Sequence, residues 1–238
     1  MTDPLAALRA STRARVALGR AGDAVPTVEL LRLRGAHAAA RDAVHAPLEA
    51  DAVEGQVRAL GLDVLRVRSA AAGRAEYLKR PDLGRRLAPG TVLTAGEYDL
   101  VVVLADGLSP RAVHRHGAAM LGALLDRLDG WRVAPVVLAT QARVALGDEV
   151  AAAVGARSVV VLVGERPGMS STDSLGAYFT YEARRGRRDS ERNCLSNIRP
   201  PHGTGYEAAA TTLAMLMAEA RRLGLSGVAL KADPALPA

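Results

Sequence analysis

Three short polar turns, each following an apolar run, carry the side chains with the most chemistry to offer. ADGLS supplies Asp106, ATQARV supplies Gln141 and Arg143 with Val144, and VGERPG supplies Glu165 with Arg166. Carboxylates accept hydrogen bonds, arginine donates several in a fixed fork and an amide does both, so such turns suit a polar or anionic ligand. Each acid alone reads more simply as a helix N-cap or a solvated loop residue. The case for a site rests on the three turns together. None matches GxGxxG or GxxxxGK[ST], so there is no fingerprint for a dinucleotide or a nucleoside triphosphate. Cys194 is the single cysteine, which excludes an internal disulfide and a Cys-based zinc site. The five histidines, His37, His45, His114, His116 and His202, show no motif that would pair one with Cys194 as the base of a nucleophile. His114 and His116, two apart on a predicted helix, point to different faces and make a poor metal pair.

The elements that must position these turns are a repeat of apolar strand, polar turn and helix: DLVVVLADGLS, VAPVVLATQARV and RSVVVLVGERPG. Continuous Val/Leu runs indicate strands buried on both faces, and the helical stretches 110–128 and 147–156 are the crossovers a parallel sheet requires. The pattern predicts an α/β fold, doubly wound, with a mainly parallel sheet and helices on both faces. In such a sheet ligands bind beyond the carboxyl ends of the strands, where the three turns meet. A strand over 175–181, an arginine-rich turn over 182–192 and a helix over 206–223 ended by Gly224 follow. Before the repeat, the spacing predicts helices over 4–15, 25–46 and 49–60, then a strand over 63–68. Leu30, Leu33, His37, Ala40 and Val44 recur at helical spacing, so one face of the second helix can pack. The segment YLKRPDLGRRL, 77–87, reads as an irregular connection. The expected division is a mainly helical region with a connecting loop at 1–90 and an α/β domain at 91–238.

Length and composition bound the class. The 238 residues suit one large domain or a core with an appendage, and 49% hydrophobic with 24% charged residues predicts a packed core. The longest apolar runs, such as Leu100 to Ala105, fall far short of the roughly 20 residues that span a bilayer. The start, Met1-Thr2-Asp3-Pro4, lacks the basic and apolar regions of a signal peptide, which points to the cytoplasm. The net charge is +6, yet 29 of the 31 basic residues are arginine, scattered among acids, and aromatic residues are 3%. Neither stacking platforms nor a basic stripe is visible, so nucleic acid is not the expected partner.

Six blocks then carry a specific resemblance: RARVALGRAG, LLRLRGAHAAARDAVH, YLKRPDLGRRL, VVVLADGLS, VVVLVGERPGMSSTDSLGAYFTY and RNCLSNIRPPHGTGYEAAA. Across nearly its whole length the sequence resembles the small (light) chain of ethanolamine ammonia-lyase, an adenosylcobalamin-dependent enzyme, and the last two blocks are the most distinctive. The resemblance implies a carbon–nitrogen lyase acting by a radical mechanism on ethanolamine to give acetaldehyde and ammonia. It implies a large partner chain, a TIM barrel that binds ethanolamine and hosts the chemistry, in a hetero-oligomer of several copies of each chain. This chain is then expected to help bury the cobalamin and to contribute no catalytic residue and no metal ligand.

The family's cofactor-contacting positions fall on Val144, Glu165 and Cys194. The first two coincide with strand-end turns already singled out. A carboxylate such as Glu165 can accept N–H bonds from the corrin's amide arms, and valine would serve by shape. Cys194 reads equally as a small buried hydrophobe or as a polar contact. YLKRPDLGRRL fits an arginine-bearing interface and 184–188 a solvated face. Residence in a bacterial microcompartment, which the family allows, has the short N-terminal extension of this chain against it. The missing phosphate fingerprints argue against a self-sufficient nucleotide enzyme, and the clustered strand-end turns against a purely structural module.

Overall fold

The computed structural model describes residues 5–12 and 14–230. Helices α1 (Ala6–Ser11), α2 (Thr27–His45) and α3 (Ala50–Arg58) precede strand β1 (Val64–Arg68). Pro4 and Arg13, inside the first predicted helix, lie outside the described residues. Next come α4 (Arg74–Lys79) and a 3-10 turn at Leu83–Arg85, so the segment expected to be irregular holds two short helical pieces around Pro81. The strand–helix repeat follows as β2 (Tyr98–Ala105), α5 (Pro110–Ala112), a π segment (Val113–Gly117), α6 (Ala118–Leu125), β3 (Val136–Thr140), α7 (Leu146–Val154) and β4 (Ala156–Gly164). The chain continues through β5 (Leu175–Tyr181), a 3-10 turn at Asp189–Glu191, β6 (Asn193–Ile198) and α8 (Tyr206–Leu223).

All six strands form one sheet in the order β1-β3-β2-β4-β5-β6. The sheet is mixed, where the sequence reading expected it to be mainly parallel: β1, β3, β2 and β4 pair in parallel, and β5 and β6 join antiparallel. The reason is the connections. A parallel neighbour needs a long crossover, usually a helix. The loop 165–174 contains no helix and 182–192 only a 3-10 turn, so each returns the chain antiparallel to the strand it left.

Two apolar layers sandwich the sheet. On one face Leu100, Val102, Leu104, Leu162, Phe179 and Ile198 pack against residues of α3, α6 and α8. On the other, Val101, Val103, Val137, Val159 and Val161 pack against Leu146, Val150 and Val154 of α7. Alternation along β2 and β4 thus feeds both layers, as fully apolar strands allow. On the α7 side the helix lies over β2 and β4. Helix α2 stands apart: it buries Ala43 alone, and Leu30 and Leu33 of its expected packing face are 39% and 38% exposed. No helix among the described residues is long and apolar enough to cross a membrane.

Candidate functional site

The chain leaves β2 toward β3 on one side and crosses back over β2 to reach β4 on the other. Such a reversal of strand order opens a crevice at the carboxyl ends of the strands. Asp106, Gln141 and Glu165 follow β2, β3 and β4 at that end. Glycine lets two of the turns touch. Gly107 has φ +53°, and a Cβ on it would stand 2.2 Å from the Gly164 carbonyl oxygen; a Cβ on Gly164 would meet the Ser109 carbonyl at 2.0 Å. The approach is sealed by the Leu108 N–H, which donates to the Gly164 carbonyl at 2.9 Å.

Asp106 turns out to hold the fold. Its carboxylate is 1% exposed and accepts from the backbone N–H groups of Gln141 and Ala142, both at 2.9 Å, and from Arg74 at 3.2 Å. Burial pushes its pKa up, while those two amides and Arg74 pull it back. Arg74 also donates to the carbonyls of Val44 and Gly107, each at 2.8 Å. The aspartate therefore ties the β3 turn to the end of β2 and has no oxygen aimed at a ligand.

Glu165 behaves differently. Its Oε2 accepts from the Ser174 hydroxyl and, at 3.2 Å, from the Asn197 N–H. Its Oε1 has no donor among the described residues and stands 3.1 Å from where a Cβ on Gly176 would lie. The same hypothetical Cβ would be 3.1 Å from a ring carbon of Tyr178, so the bare backbone of Gly176 seats both side chains.

Val144 and Cys194 line a single cavity of about 230 Å³ with Tyr178, Arg143, Arg85 and Pro81. Val144 is half-buried against the α7-side layer. Cys194 is exposed, not the buried hydrophobe of one sequence reading. It pairs across the strands with Tyr178, and both lie on the side of the β5–β6 ribbon that Ala177 and Phe179 turn away from. Burial raises the Tyr178 pKa, reinforced by the neighbouring Cys194 thiol and by the negative charge of Glu165. Arg192, behind Cys194, makes a two-pronged pair with Asp148 of α7, both contacts 2.7 Å, and donates to the Thr180 hydroxyl at 2.9 Å. Both partners are almost completely buried, so removing either would strand a charge. The pair fixes β6 against α7 and closes the cavity from beneath.

Compared with known proteins, residues 2–231 match the sequence profile of the ethanolamine ammonia-lyase light chain. The chain belongs to that family. Named relatives are ethanolamine ammonia-lyase small subunits from Rhodopseudomonas palustris (53% identical over 97% of this chain and 91% of the relative), Azotobacter vinelandii (51%, 96% and 88%) and Rhodococcus erythropolis (49%, 94% and 88%).

In this member of the light chain family, the three positions expected to meet the cofactor converge on one residue the sequence reading passed over. Tyr178 shares the cavity with Val144 and Cys194 and is seated beside Glu165. Its signal lay in the alternation of LGAYFTY, where Leu175, Ala177, Phe179 and Tyr181 share the buried face and Tyr178 must point the other way. Pro81 and Arg85 of YLKRPDLGRRL reach the same cavity. In the arginine-rich turn, Arg184 and Arg185 are exposed beside Glu182 and Glu149, while Arg187 is drawn inward to Glu191.

Proposed function

We propose that this chain is the small subunit of an adenosylcobalamin-dependent ethanolamine ammonia-lyase, which converts ethanolamine to acetaldehyde and ammonia, and that it covers the corrin at an interface with a large catalytic chain. The observation that carries the reading is the partly open β5–β6 face at the strand-end crevice, where Val144, Tyr178 and Cys194 line one cavity and Glu165 holds a free oxygen beside it. The donor set fits the group. A corrin is rimmed by primary amide arms, each with N–H donors and a carbonyl acceptor. Glu165 Oε1 is an open acceptor beside that cavity.

When bound, the cofactor supplies the radical chemistry that amino-acid side chains lack. The residues of this chain bind, orient and exclude water: Glu165 takes amide N–H groups, Val144 and the Tyr178 ring give shape, and Cys194 makes a close contact at the edge. The chain contributes no acid, base or nucleophile to ethanolamine, which the large chain, a TIM barrel, would hold. A cavity of about 230 Å³ lies below the roughly 300 to 1,000 Å³ that encloses a drug-sized ligand, and a corrinoid is larger still. A second wall from the large chain is therefore part of the proposal, in an assembly of several copies of each chain.

Titration of adenosylcobalamin into the two-chain complex tests it. Loss of a charged hydrogen bond in Glu165→Ala should weaken binding by about 1.5 to 3 kcal/mol, roughly 10- to 150-fold. Glu165→Gln, which keeps the acceptor for Ser174 and Asn197, should recover part of that loss. Unchanged affinity in both variants would reduce Glu165 to a turn residue and remove the main polar contact of the reading.

A further inference from the structure

Beside the cavity of Val144 and Cys194 lies a second, larger groove of about 570 Å³, walled by α2 on one side and by the turns after β3 and β4 on the other. Arg143 belongs to both hollows and is their common wall. The charge of this groove is one-sided: Arg41, Arg143 and Arg166 line it with His37 and His45, and no carboxylate does. Arg58, Arg66, Arg74, Arg80, Arg115, Arg127, Arg132 and Arg192 are each paired with an acid. Among the described residues, Arg41, Arg143 and Arg166 are paired with none.

Arg143 is also held in place without an acid. Its N–H donates to the Gly84 carbonyl at 2.8 Å, and its guanidinium lies 5.1 Å from the centre of the Tyr77 ring. Tyr77 is itself fully buried, with its hydroxyl donating to the Ala142 carbonyl at 3.0 Å. Gly84 leaves the space: a Cβ there would stand 2.6 Å from Tyr77 and 3.0 Å from the Arg143 side chain. Arg143 Nε is nevertheless buried and lacks an acceptor. A stacked, half-buried guanidinium with unused donors, flanked by two more free cations, is a preformed receptor for a delocalised anion, and its fork matches phosphate oxygens.

We propose that this groove is an anion subsite that takes the phosphodiester of the cofactor's nucleotide arm, with Arg143 as the principal contact and Arg166 as a secondary one. The inference rests on the corrinoid reading of the adjoining cavity. It follows from adjacency and charge: adenosylcobalamin carries one anionic group, that phosphodiester, tethered to an otherwise uncharged amide rim. The small cavity offers the amide rim an acceptor in Glu165, and the groove one step along the chain from Val144 offers the anion its cations.

The test compares adenosylcobalamin with adenosylcobinamide, which lacks the nucleotide arm, by equilibrium binding to the two-chain complex. Arg143→Gln should weaken adenosylcobalamin about tenfold or more and leave adenosylcobinamide unchanged. Because Arg143 packs on Tyr77, Arg166→Gln, on an exposed turn, provides a second reading: a smaller loss in the same direction, again confined to adenosylcobalamin. Inorganic phosphate should compete with adenosylcobalamin in the wild-type complex and lose that effect in Arg143→Gln. Equal losses for both corrinoids, or none for either, would overturn the assignment. So would phosphate that binds through Arg143 without displacing adenosylcobalamin, which would make the groove a site for a free anion. Weakened assembly with unchanged corrinoid selectivity would make these arginines interface anchors instead. A wild-type complex that binds neither corrinoid would refute the corrinoid reading itself, a result distinct from a failure of the arginine assignment.

Discussion

Glu165 uses one carboxylate oxygen for the fold and leaves the other open, whereas Asp106, in the equivalent place after β2, gives both of its oxygens to backbone amides and Arg74. Sequence could place both acids at strand ends, since each follows an unbroken apolar run, but not tell these roles apart. The difference lies in long-range partners: Asp106 meets the turn after β3, and Glu165 meets Ser174 and Asn197. Cys194 gives a prediction at the same scale. As an exposed side chain on an open ribbon, it should tolerate Cys194→Ala with less than about 0.5 kcal/mol change in unfolding free energy. In the assembled complex its thiol should alkylate more slowly with adenosylcobalamin bound than without it, read by mass spectrometry on this chain's single cysteine. Equal rates in the two states would mean that the corrin does not cover this ribbon.

The π segment shows how an element far from the cavity positions it. Helical spacing predicted one helix over 110–128; the run from Pro110 to Leu125 is helical throughout but widens to a π turn at Val113–Gly117. That turn sends three successive side chains to three partners. His114 accepts from the Glu49 N–H at the start of α3 at 2.9 Å, Arg115 donates to Asp173 at 2.7 Å, and His116 Nδ1 meets the Tyr206 hydroxyl at the start of α8 at 2.7 Å. Asp173 precedes Ser174, the partner of Glu165, so the π turn anchors the loop that carries the site. Nothing local in VHRHG announces this, because the partners are 58 to 90 residues away for Arg115 and His116. The strand β6 escaped notice for a related reason: Cys194, Ser196 and Asn197 are exposed at the sheet edge, which dilutes the apolar pattern.

Burial lowers the pKa of both His114 and His116, against the opposing pull of Glu49 on the first and of Asp173 on the second, with Arg115 and Arg199 adding to the shift of His116. A histidine whose folded-state pKa is depressed contributes stability that is fully present above the unfolded value of about 6.5 and is lost as pH falls through the folded value. Denaturant unfolding should therefore give a constant unfolding free energy from neutral pH down to about 6.5 and a falling one below it, by at most about 1.4 kcal/mol per pH unit for each histidine. His116→Gln should flatten that decline. A decline of the same steepness in the variant would place the titration elsewhere.

For the whole molecule, the α/β class, the order of most elements and the strand-end crevice were legible because buried strands and amphipathic helices write their period into the sequence. The mixed sheet was not, since LGAYFTY is as apolar as a parallel core strand and only the helix-free loop before it hints at reversal. Nor was the open face of α2, whose Leu30 and Leu33 keep the spacing of a packed helix while remaining exposed. The molecule thus presents a partly open ribbon, a partial cavity and a one-sided cationic groove, the features on which the proposed site rests. The most direct measurement is acetaldehyde formation from ethanolamine with adenosylcobalamin present, using the large chain alone, this chain alone, and the two together. The account predicts turnover in the mixture only; full turnover by the large chain alone would contradict it.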